Sequence, residues 1–151
     1  VVGLLDTLFT SFDELAAACG VEKIKTIGDE YMAVAGAPDA QPEHAEAALT
    51  MAQGMLDAAS AWRTANQLDL QLRIGMASGK VVAGVIGRKR ILFDLWGDTV
   101  NTASRMESTG VPGRIQVAPA TWERLRARHA FERRDVEVKG LGPMATSLLT
   151  P

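Results

Sequence analysis

The spacing of apolar residues predicts that helices and strands alternate along this chain. Over residues 2–18 and again over 43–65, apolar side chains recur every three or four positions, as they do on the buried face of a helix. Shorter runs with a period of two predict strands over 22–28, 31–36 and 70–78. The first two of these strands flank a Gly-Asp-Glu turn, so they predict a hairpin.

The second half of the chain continues the same alternation. Predicted strands cover 81–86, 92–96, 115–117, 131–138 and 144–149, and predicted helices cover 98–108 and 119–128. Tight turns join several of the strands, which favours an α+β fold with a mostly antiparallel sheet covered by helices on one face. A chain of 151 residues can bury a core of its own, so residues 1–151 are assigned to a single domain.

Charge and composition exclude several classes of protein. The 18 acidic and 16 basic residues give a net charge of -2, so we expect no nucleic-acid partner and no contact of this domain with a membrane. No apolar run approaches the length of a membrane span. The single cysteine, Cys19, excludes a disulfide within the chain and fits a reducing compartment.

The segment from Phe93 to Met106 carries the clearest candidate chemistry. It is typical of a strand end, a glycine turn at Gly97 and the start of a helix. Asn101 and Arg105 are four residues apart and so share one helix face, while Asp94 lies just before the turn. A carboxylate, an amide and a guanidinium brought together in this way suit a purine nucleotide with its sugar and phosphates.

Three segments together identify a family resemblance. Residues 94–106 contain the pattern D-x-W-G-x-x-V-N-x-A-x-R-M, residues 22–29 read Glu-Lys-Ile-Lys-Thr-Ile-Gly-Asp, and residues 136–140 read Val-Glu-Val-Lys-Gly. In this order and spacing they resemble the class III nucleotide cyclase homology domain. The resemblance implies a ferredoxin-like, palm-like sheet and a head-to-tail homodimer with two shared active sites.

The resemblance also implies which residues recognise the base. Lys25 and Asp94 match the family's specificity pair: a lysine donates to N1 of adenine, and an aspartate accepts from its 6-amino group. Guanine reverses both groups, and guanylate cyclases accordingly tend to carry a glutamate at the Lys25 position and a small or thiol residue at the Asp94 position. The expected activity is therefore adenylate cyclase, which converts ATP to 3′,5′-cyclic AMP and pyrophosphate, with guanylate cyclase as the alternative.

Further residues match the family's catalytic and phosphate-binding positions. The resemblance assigns Asn101 to orienting the ribose and Arg105 to stabilising charge on the α-phosphate. Lys139 matches a phosphate-binding lysine. The basic turn Arg88-Lys89-Arg90 lies where the family reaches the triphosphate, and Lys89 is our first choice among the three, although plain surface exposure explains this cluster nearly as well.

Metal binding is implied at Asp29, in the predicted hairpin turn, where a carboxylate can reach Mg²⁺ or Mn²⁺. The family uses two divalent cations and two aspartates, and the first aspartate belongs to a strand that we expect upstream of Val1. Without it, a non-catalytic, dimerising nucleotide-binding module becomes the second alternative. ATP as substrate implies a cytoplasmic location, and it leaves open whether the full-length protein is tethered to a membrane.

Overall fold

The computed structural model of the protein describes residues 2–86 and 92–151. The helices are α1 (Val2–Cys19), α2 (His44–Asn66), α3 (Asp98–Ser108) and α4 (Pro119–Leu125). The strands are β1 (Glu22–Ile27), β2 (Glu30–Val34), β3 (Ile74–Met76), β4 (Val82–Ile86), β5 (Leu92–Trp96), β6 (Ile115–Val117), β7 (Phe131–Val138) and β8 (Gly142–Leu149). The chain divides into a first unit, Val1–Gln71 with Ala83–Asp94, and a second unit, Leu72–Val82 with Leu95–Pro151.

In the first unit, α1 packs against α2 and against the antiparallel hairpin of β1 and β2. The apolar stripe predicted on α1 faces this core, since Leu8 and Phe12 are buried. On α2, Leu49 is buried and Gly54 leaves room for Leu15 of α1; a Cβ added at Gly54 would lie 2.9 Å from Leu15 Cδ2. Close packing of the two helices therefore supports the hairpin.

The second unit contains a four-stranded sheet in the order β3-β6-β8-β7. β3 pairs with β6 in parallel, whereas β6 with β8 and β7 with β8 are antiparallel. Helix α3 packs on β3 and β6, and α4 packs on β8. Met106, Ala118 and Val138 form a buried cluster that joins α3 to the sheet.

Two predicted elements are wrong in length. The strand predicted over 70–78 is only Ile74–Met76, because its parallel partner β6 is itself three residues long. Leu70 lies outside the strand and is 57% exposed, rather than on a buried strand face. Helix α4 ends at Leu125 instead of residue 128. The chain turns after Leu125, because the backbone amides of Arg128 and His129 both donate to the Leu125 carbonyl.

The predicted α+β class is confirmed by these helices and strands. In the four-stranded sheet, two pairings are antiparallel and one is parallel, so this sheet is mixed with an antiparallel majority, and the hairpin of β1 and β2 is antiparallel. Within the described ranges, no helix is long and apolar enough to cross a membrane.

Candidate functional site

Asp29 lies in a tight turn of the first unit. Ile27 pairs with Glu30, so the hairpin of β1 and β2 closes on the two residues Gly28 and Asp29. Gly28 has a φ of +59°, a left-handed conformation that glycine adopts without steric cost. The turn leaves the Asp29 carboxylate exposed at the tip of the hairpin, so the predicted hairpin is confirmed and its carboxylate is accessible to a ligand.

A β-bulge sets the direction of Lys25. Lys23 pairs with Ala33 and Lys25 pairs with Met32, so β1 contains one residue more than β2 between these two pairs. Cross-strand partners share a face, and the adjacent residues Met32 and Ala33 point to opposite faces. Lys23 and Lys25 consequently point to opposite sides of the hairpin, whereas a regular strand would place both on the same side.

The face that carries Lys23 is fixed to α1. Tyr31 Oη donates to Asp13 Oδ1 at 2.6 Å, and Lys23 Nζ lies 3.1 Å from the same oxygen. The Tyr31 ring packs edge-on against Phe9 and Phe12, with centroid distances of 5.5 and 5.4 Å. A charge-assisted bond and an aromatic cluster therefore anchor the hairpin on one face, and Lys25 projects from the other.

These contacts also shift two pKa values. Burial raises the pKa of Asp13, but hydrogen bonds from Tyr31 and Lys23 outweigh burial and hold that pKa below its usual value. Burial and the bond to the Asp13 carboxylate both raise the pKa of Tyr31. The structure thus favours an ionised Asp13 beside a neutral Tyr31 at neutral pH.

In the second unit, Asn101 and Arg105 lie one turn apart on α3, as the sequence predicts. The helix starts after Gly97, whose φ is +118° and whose carbonyl accepts from the Asn101 amide at 3.1 Å. Thr99 Oγ1 donates to the Lys80 carbonyl at 2.6 Å and so fixes the first turn to the loop after β3. The Asn101 side chain is exposed and that of Arg105 is half-buried.

Helix α3 lies directly on the backbone of β3. A Cβ added at Gly75 would lie 2.1 Å from the Glu107 nitrogen and 2.7 Å from the Ala103 carbonyl oxygen, both backbone atoms of α3. No residue larger than glycine fits there without moving the helix. At the same end, Arg73 Nε donates to Glu107 Oε2 at 2.6 Å.

Lys139 lies in the turn between β7 and β8, and its side chain is exposed. The preceding residue, Val138, is 1% exposed and belongs to the same buried cluster as Met106, the residue after Arg105. This packing brings the backbone that carries Lys139 to the end of α3 that carries Arg105. Among the sequence-predicted residues of the second unit, Asn101, Arg105 and Lys139 are thus associated with one helix and its supporting sheet.

Two of the predicted nucleotide-binding residues, Asp94 and Lys89, are described only in part or not at all. Asp94 lies in β5, and its side chain is not among those that the structure describes. Lys89, with Arg88 and Arg90, lies outside the described residues. The assignments of Asp94 and Lys89 therefore stay predictions.

The described residues offer one candidate ligand for a divalent metal, Asp29. Asp29 is a hard oxygen donor of the kind that Mg²⁺ and Mn²⁺ prefer. Across residues 2–86 and 92–151, no group of three or more His, Cys, Asp or Glu side chains is placed to hold a metal ion. Asp29 fits the role of one ligand, and the described residues do not complete a metal centre by themselves.

Sequence reasoning missed the residues that hold α3 in place. Gln116 is fully buried in the centre of β6, where it bonds to the C-terminal end of α3. The sequence contained one signal for Gln116, a polar residue between Ile115 and Val117 in an apolar strand. Because buried polar groups require hydrogen-bond partners, such a residue indicates a structural contact. Gly75 carried no comparable signal, since its role depends on a helix that follows it by more than twenty residues.

Comparison with known proteins identifies the family. A family model described as the adenylate and guanylate cyclase catalytic domain matches residues 1–151. The chain belongs to this family of class III nucleotidyl cyclases. An adenylate cyclase from Mycobacterium tuberculosis is 45% identical over 147 residues, which are 97% of this chain and 33% of that protein. This cyclase chain therefore spans about a third of the length of that relative.

Solved structures of relatives confirm the cyclase fold. The guanylate cyclase domain of RhGC from Catenaria anguillulae, in complex with GTP, is 39% identical with a TM-score of 0.90, over 97% of this chain and 81% of that one. The catalytic core of a rhodopsin-guanylyl cyclase with converted specificity, in complex with ATPαS, is 41% identical with a TM-score of 0.89, over 97% and 80%. Members of this family generally use divalent metals, and relatives of either base specificity resemble this chain to a similar degree.

Proposed function

We propose that this domain is an adenylate cyclase that converts ATP to 3′,5′-cyclic AMP and pyrophosphate. The observation that carries the proposal is Lys25, which the bulge in β1 turns away from the face that α1 covers. A lysine there donates to N1 of adenine, and Asp94 accepts from the 6-amino group. Guanine would leave both side chains without a partner, at a cost of about 1–3 kcal/mol for each buried group.

The chemistry that we assign to the second unit is transition-state stabilisation. The 3′-hydroxyl of ATP attacks the α-phosphorus in line with the leaving pyrophosphate, so the reaction is intramolecular and depends on orientation. Asn101 orients the ribose, and the Arg105 guanidinium donates to the α-phosphate as charge builds up there. Lys139 and Lys89 neutralise the β- and γ-phosphates.

Asp29 is the residue of this chain that we assign to metal binding. Two divalent cations, when bound, would neutralise the triphosphate and lower the pKa of the attacking hydroxyl. The exposed carboxylate at the tip of the hairpin supports this role. Asp29→Asn, which removes the charge and keeps the shape, should raise the Mn²⁺ concentration needed for half-maximal activity.

We further propose a head-to-tail homodimer with two shared sites, because the family resemblance implies a site built from two subunits and this chain carries residues of both halves, Asp29 and Arg105. Complementation tests this idea. At the Mn²⁺ concentration that gives half-maximal wild-type activity, Asp29→Asn and Arg105→Ala should each be nearly inactive alone. In an equimolar mixture, half of the dimers are mixed and each of these has one intact site, so about a quarter of wild-type activity should return. Activity that does not return on mixing contradicts the shared site.

A substrate assay decides between the adenylate and guanylate alternatives. Wild-type protein with Mn²⁺ should form cyclic AMP from ATP with a higher kcat/KM than cyclic GMP from GTP. Lys25→Glu combined with Asp94→Gly should shift this preference toward GTP, and an unchanged preference would overturn the assignment of the pair. Nucleotide binding without formation of either cyclic product would favour the non-catalytic module.

A further inference from the structure

The backbone carbonyl of Arg105 receives three hydrogen bonds. The donors are the Thr109 amide at 2.9 Å, Thr109 Oγ1 at 2.7 Å and Ser108 Oγ at 3.3 Å. This carbonyl belongs to the last turn of α3, where helix carbonyls have no partner further along the helix. The turn that presents Arg105 is therefore held by its own C-terminal residues instead of being left to fray.

The hydroxyl of Thr109 connects this turn to the sheet. Gln116 Nε2 donates to Thr109 Oγ1 at 2.9 Å, and the same hydroxyl donates a hydrogen bond to the Arg105 carbonyl at 2.7 Å. The same Nε2 donates to the Met106 carbonyl at 2.9 Å. The Gln116 amide on β6 thus bonds both to the Met106 carbonyl and to the Thr109 hydroxyl at the C-terminal end of α3. In the chain of bonds from Gln116 through Thr109 to the Arg105 carbonyl, each hydrogen bond polarises the next.

The orientation of Gln116 is itself determined by its other partners. Its Oε1 accepts from Arg134 Nη1 at 2.7 Å, and a guanidinium nitrogen can only donate. Because the oxygen must face this donor, the amide nitrogen faces α3. Gln116 and Thr146 are fully buried, so a different arrangement would leave polar groups without partners.

We propose that Thr109 and Gln116 are positioning residues for the catalytic arginine, an inference that rests on the proposed function. They act through the backbone of Arg105 and do not touch the nucleotide. The guanidinium is at the end of a long side chain, so a small tilt of its peptide becomes a larger displacement at the phosphate. Because Arg105 is assigned to the transition state, loss of this support should lower kcat and leave KM nearly unchanged.

The test compares Thr109→Val, which has nearly the same shape without the hydroxyl, with Thr109→Ser, which keeps the hydroxyl. Thr50→Val is the matched control, because Thr50 Oγ1 makes the same kind of bond, to the Glu46 carbonyl at 2.9 Å, on a helix without site residues. All variants are made in the full-length protein, and ATP turnover and thermal unfolding are measured. Thr109→Val should lower kcat about tenfold or more with KM changed less than about twofold.

Thr109→Ser should recover most of the wild-type kcat, and Thr50→Val should keep it. If Thr109→Val keeps the wild-type kcat, or if Thr50→Val loses as much as Thr109→Val, the positioning role is overturned. If Thr109→Val does not fold, Thr109→Ala removes the same hydroxyl without a replacing methyl group and gives the same comparison. Wild-type protein that forms no cyclic nucleotide would instead overturn the proposed function, which keeps the two failures distinguishable.

Discussion

Replacing Gly75 with alanine is the sharpest test of how α3 is held. The new Cβ would lie 2.1 Å from the Glu107 nitrogen and 2.6 Å from the Met106 carbonyl carbon. Both atoms belong to the helix backbone, so neither can rotate out of the way as the end of a side chain can. To reach ordinary contact at 3.4 Å, the helix must move away from β3 by about 1.3 Å.

The size of the effect follows from this displacement. Overpacking of a buried site costs about 1–3 kcal/mol of unfolding free energy. A displacement near 1 Å at a reacting group lowers the rate about a hundredfold when geometry supplies the catalysis. Gly75→Ala should therefore remain folded at moderate temperature but unfold at a lower temperature than the wild type. Its kcat should fall by roughly one to two orders of magnitude.

Gly54→Ala is the matched control, because its Cβ would lie 2.9 Å from Leu15 Cδ2, the far end of a flexible side chain on α1. It adds the same methyl group inside a packed helix of the first unit, where the Leu15 side chain can rotate away and alanine favours the helix more than glycine does, so kcat should stay near the wild-type value and stability should change little. ATP turnover and thermal unfolding of both variants give the comparison. A wild-type kcat for Gly75→Ala, or equal losses for the two variants, would refute the claim that β3 sets the position of α3.

The cluster of Asp13, Lys23 and Tyr31 gives two predictions on pH, both measured by chemical denaturation. The pKa of Asp13 is lowered in the folded state, so its contribution is present above about pH 4 and is lost as the pH falls below that. Asp13→Asn should cost less than about 1 kcal/mol at pH 7, since the pair is exposed, and the difference from wild type should shrink at lower pH. The pKa of Tyr31 is raised, so wild type should lose stability above about pH 10. Tyr31→Phe, which keeps the ring, should lack that alkaline loss and cost about 1 kcal/mol at neutral pH.

Local patterns were sufficient to predict most of the elements. The apolar stripe of α1, the glycine turn after β1 and the helix that starts after Gly97 each follow from interactions within a few residues. The predicted face shared by Asn101 and Arg105 needed only the helix period. The predicted length of β3 is wrong, because a strand ends where its partner ends and β6 lies 41 residues later in the chain, from Ile74 to Ile115.

The bulge in β1 shows why the site could be predicted only in part. Simple alternation places Lys23 and Lys25 on the same face, and the sequence contains no glycine or proline there to indicate otherwise. The register shift instead accompanies the contacts of Lys23 and Tyr31 with Asp13 on α1, which are made across the first unit. The roles of both lysines thus depend on tertiary packing, which no local pattern contains.

Lys25 and Arg105, which we assign to base recognition and to chemistry, lie on different supports, and this separation has a consequence. Lys25 is presented by a hairpin that Asp13 and Tyr31 anchor to α1, whereas Arg105 is presented by a helix that Gly75 and Gln116 hold against the four-stranded sheet. A substitution at Gly75 or Gln116 is therefore expected to change the contact that we assign to Arg105 with the α-phosphate, a group that ATP and GTP have in common. It should lower turnover of both nucleotides by the same factor and leave the ratio of their kcat/KM values unchanged, because that ratio depends on contacts with the base.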